Sequence, residues 1–246
     1  MNRRTVIAAV LCASLAGAVF GDPAAARTRR APVAQGRVVK AVDLTINGRP
    51  AAVGALVRAG DRLRTGSGGV ADVVLADGAI FRLYPASEAR VPAISRKKSF
   101  VQLVVGGLMS LVGKPMDYQV KAPKVVAAVG GTCFYLQATP EAPNYICACS
   151  GLVHMGATHR AMTPVDAGFN KHIGVMIGAV GFSPAGAKNH DDNQMWELGR
   201  ELQEATGIPN KYRALHSDAG RPVEVAPPAE APPPALEVAP PPAETP

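Results

Sequence analysis

The sequence predicts a mainly β protein: a sandwich or roll of short antiparallel strands, then one C-terminal amphipathic helix and a disordered proline-rich tail. Three observations predict it. Short apolar runs separated by glycine turns begin at Arg37, a single stretch near residue 195 has helical periodicity, and the composition changes after residue 216. With 246 residues, 48% of them hydrophobic, the chain is long enough for one sizeable core.

Residues 1–26 read as an export signal peptide. Arg3 and Arg4 precede an apolar run from Val6 to Phe20, and the small residues of "GDPAAA" suit cleavage near Ala26. A run of about fifteen apolar residues falls short of the ~20 that span a bilayer, so contact with the membrane is expected only during export. The paired arginines fit a twin-arginine signal as well as an ordinary one, and Cys12 leaves with the signal. The expected location is the periplasm or cell envelope.

Residues 36–185 carry the strands. "VVKAVDLTING" is a strand ending in a turn at Asn47-Gly48, and "ADVVLADGAIFRLY" is two alternating strands around Asp77-Gly78, a strong hairpin signal. "FVQLVVGGLMSLVG", "YQVKAPKVVAAV" and "GTCFYLQA" continue the pattern. A helix is predicted over 191–206: Asp191 and Gln194 have capping-box spacing, Met195, Leu198, Leu202 and Ala205 share a face, and Gly207 with Pro209 supplies the stop. Its apolar face should pack on the β-domain or dock on a partner. From Arg221 onward, ten prolines in 26 residues leave no periodic apolar face, so residues 217–246 are expected to be disordered and partly polyproline II.

Charge is unevenly placed. Residues 1–26 hold two basic and one acidic group and residues 217–246 one basic and five acidic, which leaves 23 basic against 13 acidic in residues 27–216. Such a surface attracts anions or simply keeps the domain soluble. Arg96, Lys97 and Lys98 form the one dense cluster and are the candidates for polyanion binding, although a solvated loop tip also explains them. No hydrolase elbow, phosphate loop, dinucleotide fingerprint or helical zinc-protease motif is present. Neither an enzyme nor a specific nucleic-acid binder is expected.

The run from Gly54 to Leu83 resembles the FecR domain, a β-rich module of the bacterial cell envelope. The features that carry the likeness are Gly60-Asp61, Thr65-Gly66, an alternating strand, Asp77-Gly78 and a second strand. It continues through "VQLVVGGLMSLV" and "VKAPKVVAAVGGTCFYL", over about residues 36–156, with Gly130 where the family usually has arginine before Gly-Thr. The best known FecR proteins link an outer-membrane transporter to a cytoplasmic sigma factor through a cytoplasmic segment and a transmembrane helix. This chain is expected to have room for neither before its β-domain, so what the resemblance implies is a non-enzymatic binding or scaffolding module, with an envelope protein or cell-wall component as partner and a possible part in envelope sensing.

Cys133, Cys147 and Cys149 remain after signal cleavage. If 131–138 and 144–155 pair around "TPEAP", opposed residue numbers sum to 280–282 and Cys133 faces Cys147 or Cys149. Period two puts Cys147 and Cys149 on one face, Cα atoms about 6.6 Å apart. Three readings stay open: a disulfide from Cys133 to one of the pair, a metal centre of zinc or iron–sulfur type, or buried thiols; the second would make the alternative function a periplasmic metal-binding or redox module on the Cys-Ala-Cys segment. His154 has the wrong parity unless a bulge intervenes near Ser150-Gly151. "CAC" with the downstream "NHDD" is similar to a pairing in some exported FecR-like proteins, which implies convergence of Cys147, Cys149 and His190, with Cys133 or His172 as further candidates.

Overall fold

A tight turn starts the fold. Asn47 and Gly48 both take positive φ, 53° and 77°, and fold β1 (Gly36–Ile46) onto β2 (Arg49–Ala51). The computed structural model describes residues 35–113, 117–158, 160–168, 171–178 and 181–211; the expected signal and tail lie outside the described residues. Thirteen further strands follow: β3 (Leu56–Val57), β4 (Arg62–Val74), β5 (Ala79–Leu83), β6 (Glu88–Ile94), β7 (Lys98–Val112), β8 (Asp117–Ala122), β9 (Val125–Val129), β10 (Cys133–Ala138), β11 (Asn144–Ser150), β12 (Leu152–Gly156), β13 (Met162–Asp166), β14 (Ile173–Gly178) and β15 (Gly181–Ala185). One helix, α1 (Asp192–Thr206), closes the described chain. Among the described residues no helix is long and apolar enough to cross a membrane.

Two long strands roll the sheet. The start of β4 pairs with β6 and its end with β5, while β7 pairs with β6 before Gly106 and with β5 and β10 after it. Each long strand therefore changes partners midway, and the ring β4–β5–β7–β6 closes. Gly106 is where β7 bends: its φ is +94°, and an added Cβ would stand 2.6 Å from the Cα of Ser87. The aspartates of Gly60-Asp61 and Asp77-Gly78 bond turn backbone, the Asp61 carboxylate accepting from the Arg58 amide at 2.6 Å and Asp77 from the Ala79 amide at 3.0 Å.

Parity divides the core in two. Inside the roll lie Val73, Phe81, Leu83, Leu108, Phe134, Leu136, Ile146 and Ala148 among others. On the opposite face Val74, Ile80, Met109, Leu111, Cys133, Tyr135, Tyr145, Cys147 and Cys149 pack with Met195, Leu198 and Leu202 of α1. Strands β5 and β11 are buried along their whole length because the roll covers one face and α1 or the segment before it covers the other. Fully burying each of the three apolar α1 side chains contributes about 1.5–3 kcal/mol.

Several expectations need correction. Strands β7 and β8 pair in parallel, Lys98 opposite Asp117, because the sheet turns at β7 and leaves its early half open to β8. The stretch 144–155 is two strands, not one: Gly151, at φ +73°, turns the chain from β11 toward β9 and β13. Ala205 is exposed, since the last turn of α1 runs past the sheet. Replacing Gly106 by alanine should lower stability by about 2–4 kcal/mol, from the positive φ and the overlap with Ser87 together, read as a lower urea midpoint. An unchanged midpoint would show that the bend in β7 is not held there.

Candidate metal centre

Four side chains from three parts of the chain meet at the end of α1. Alternation on β11 turns Cys147 and Cys149 to the helix-covered face while Ala148 points into the roll. The register between β11 and β14 pairs Cys147 with Gly174 and Ala148 with Ile173, so His172, one residue before β14, comes level with Cys149. His190 lies just before Asp191, the N-cap of α1, and its ring stacks on Tyr135 with centroids 4.6 Å apart and planes 13° apart. Tyr135 is the β10 partner of Cys147. Tyr145 steadies the approach to His190: its hydroxyl donates to the Gly186 carbonyl at 2.9 Å and accepts from the Lys188 amide at 3.1 Å.

The donor atoms face one another. Cys149 Sγ is 3.3 Å from His190 Nε2, Cys147 Sγ 3.7 Å from His172 Nδ1, and the two ring nitrogens are 3.1 Å apart. All four donor atoms lie within 4.8 Å of one another. The outward ring atoms have partners of their own, His190 Nδ1 the Lys188 carbonyl at 2.6 Å and His172 Nε2 the Asp192 carboxylate at 2.8 Å. A carbonyl only accepts, so His190 Nδ1 carries the hydrogen and Nε2 turns its lone pair inward. The carboxylate holds a hydrogen on His172 Nε2 in the same way, which leaves Nδ1 to bind. Second partners of this kind are what orient imidazoles in metal sites.

Electrostatics at the site are uneven. The neighbouring Cys149 thiol, then His172 and His190, hold the Cys147 thiol down to about 3 against its burial. Burial pushes Cys149 well above the usual thiol range, and Cys133 and Cys147 add to this. Burial opposes charge on His172, but Cys147 and Asp192 outweigh it and raise the ring to about 9. The Cys147 thiolate beside a charged His172 is the arrangement a cation would enter by displacing protons.

Of the sequence candidates, Cys147, Cys149, His172 and His190 converge. Cys133 shares their buried face and lies beside Cys149 but stays outside the four. Among the described residues Cys133, Cys147 and Cys149 are free thiols, so the disulfide reading finds no support. The ladder bulges here: Phe134 pairs with Ala148 and Cys133 with Ser150, so Cys149 is the extra residue, its thiol beside that of Cys133. His154 is exposed on β12, away from the thiols. Arg96 and Lys97 are exposed at the β6–β7 tip, and Lys98 pairs with Asp117 at 3.1 Å.

Sequence reasoning missed Asp192, which adjoins the capping residue in "NHDD"; Asp191 is the cap, its carboxylate accepting from the Gln194 amide at 2.8 Å. It also missed what clamps α1 in place. Asp72 and Arg82 are partners across β4 and β5, and Arg82 holds Asp72 through two 2.8 Å hydrogen bonds while reaching Glu197 of α1 at 3.0 Å. Their even placement about Asp77 was a usable signal: they stand opposite each other across the hairpin already recognised.

Comparison with known proteins follows this geometry. Residues 61–151 match the family model described as FecR protein. That stretch of the chain is similar to the FecR family. The match takes in the roll from β4 to β11, including both cysteines of the centre, and stops before His172 and His190. Two crystal structures of a candidate anti-sigma factor from Parabacteroides distasonis ATCC 8503 are each similar at 16% identity and a TM-score of 0.44, covering 55% of this chain. They are matched over 64% and 63% of their own chains, under two thirds of their length. No curated protein matches the chain.

Glu201 of α1 gives a test of helix docking. Burial, then the Asp72 carboxylate, raise its pKa from 4.5 to about 8 despite Arg82 and Lys40. Below 4.5 the folded and unfolded states both keep the proton. Between 4.5 and about 8 the unfolded chain loses it first, so this group's contribution to stability falls as pH rises. The stability of the wild type relative to Glu201→Gln should decline from pH 5 to pH 8 in urea unfolding, and a constant difference would refute the half-buried placement of Glu201 beside Asp72.

Proposed function

We propose that this chain is an exported FecR-domain module of the bacterial cell envelope, non-enzymatic, which binds an envelope protein or cell-wall component and whose Cys147, Cys149, His172 and His190 hold a transition-metal ion. One observation carries the metal reading: four donor atoms within 4.8 Å, two sulfurs and two imidazole nitrogens, each ring oriented from behind by an acceptor. Cys147 and Cys149 are fully buried, and four protein donors fill a tetrahedral coordination shell. A shell filled by protein favours a structural or sensing centre over a catalytic one, which needs an open position. The FecR domain supports the envelope and regulatory part of the reading.

The centre draws on β11, the residue before β14 and the residue before the N-cap of α1, so a bound ion would tie the helix to the sheet. Metal supply in the envelope would then set how firmly α1 covers that face, a simple means of sensing. Exposed Arg96 and Lys97 remain a polyanion contact of lesser weight, since Lys98 is already paired.

Intact mass of the mature full-length chain tests the reading. Under native conditions the wild type should carry a metal adduct that acid removes, and Cys147→Ser with Cys149→Ser should lack it. Asp192→Asn should keep the adduct but bind metal about 10–100-fold more weakly, the usual effect of removing a histidine's second partner. A chain two hydrogens light with no adduct would mean a disulfide and would end the metal reading.

A further inference from the structure

The chemistry of the four donors decides between two kinds of centre. Two cysteines and two histidines serve either one tetrahedral ion or a two-iron, two-sulfide cluster in which the cysteines hold one iron and the histidines the other. Resting on the metal reading above, we infer that the centre is mononuclear and takes a single divalent cation of the zinc class, held by Cys147 Sγ, Cys149 Sγ, His172 Nδ1 and His190 Nε2.

Distances separate the two. A tetrahedral ion with bonds of ~2.1 Å to nitrogen and ~2.3 Å to sulfur sets its donors about 3.4 Å apart for two nitrogens and about 3.6 Å for nitrogen and sulfur. The observed separations are 3.1 Å for the nitrogens and 3.3 and 3.7 Å for the nitrogen–sulfur pairs. In a two-iron cluster the sulfurs and nitrogens sit at opposite ends of the iron–sulfide rhomb, so every sulfur–nitrogen pair is the length of that rhomb apart. Here each sulfur has a nitrogen on a single tetrahedral edge, and all four atoms fit within 4.8 Å. No space for a rhomb lies between them.

Charge selects the class of ion. Two thiolates and two neutral imidazoles carry two negative charges, which one divalent cation cancels. A monovalent ion would leave a net negative charge and a trivalent ion a net positive one beside two thiols that have no exposed surface. Soft sulfur with imidazole in tetrahedral array suits zinc over magnesium, calcium or manganese. With four protein donors the ion has no open position, and its effect is to join β11, the start of β14 and the N-terminus of α1.

Cobalt(II) titration of the full-length mature chain under reducing, anaerobic conditions tests this, with zinc, iron and acid-labile sulfide measured in the chain as isolated. The expected result is one cobalt per chain, intense tetrahedral visible bands, a thiolate-to-cobalt charge-transfer band, and loss of both on adding one equivalent of zinc. His190→Cys, at a half-buried loop position, guards against a variant that fails to fold: it should still bind one cobalt, with the charge-transfer band about half as strong again as two thiolates become three. Two irons and two sulfides per chain would overturn the mononuclear assignment while keeping a metal centre. So would a weak six-coordinate cobalt spectrum without the thiolate band. A wild type that binds no cobalt, zinc or iron would remove the centre altogether.

Discussion

The docking of α1 on the outer face of the rolled sheet is the constraint on which the rest of the molecule depends. A sheet face bearing Val74, Ile80, Met109, Leu111 and Tyr135 needs a cover, and α1 supplies Met195, Leu198 and Leu202 to it. Burying that face also buries Arg82, which is 4% exposed and would be costly without its partners. Asp72 answers it from the neighbouring strand and Glu197 from the helix, so the ion pair that keeps the guanidinium satisfied also fixes how α1 lies. At the N-terminal end, the Tyr84 hydroxyl meets the Gln194 side chain at 3.0 Å, adjoining the capping box.

That placement creates the centre. His190 and Asp192 sit on either side of the N-cap, so wherever α1 begins, an imidazole and a carboxylate arrive together. The β11 register brings His172 to the same point from the other side, between the thiols and Asp192. The bulge at Cys149 leaves Cys133 beside Cys149 on the same buried face but outside the group of four donors that Cys147 and Cys149 form with the histidines.

Much of this was legible in the residues. The strand-rich middle, the Asn47-Gly48 and Asp77-Gly78 turns, the capping box of α1 and the shared face of Cys147 and Cys149 are local matters, decided by backbone preferences and by periods of two or 3.6 residues. The likeness to FecR was legible for the same reason, since its motifs are turns at fixed spacing. The parallel pairing of β7 with β8, the break at Gly151 and the bulge at Cys149 were not, because each depends on which distant strand competes for a given edge.

By itself the sequence determined which residues can turn, alternate and cap, and hence a β-domain with a terminal helix and a pair of thiols on one strand face. Only the tertiary structure decided that His172 and His190 reach those thiols, that Cys133 does not complete a pair, and that Asp192 serves a ring while Asp191 serves the cap. Those outcomes rest on contacts between residues up to 115 positions apart, such as Arg82 with Glu197, whose geometry is set by strand register and helix docking and so leaves no periodic trace along the chain.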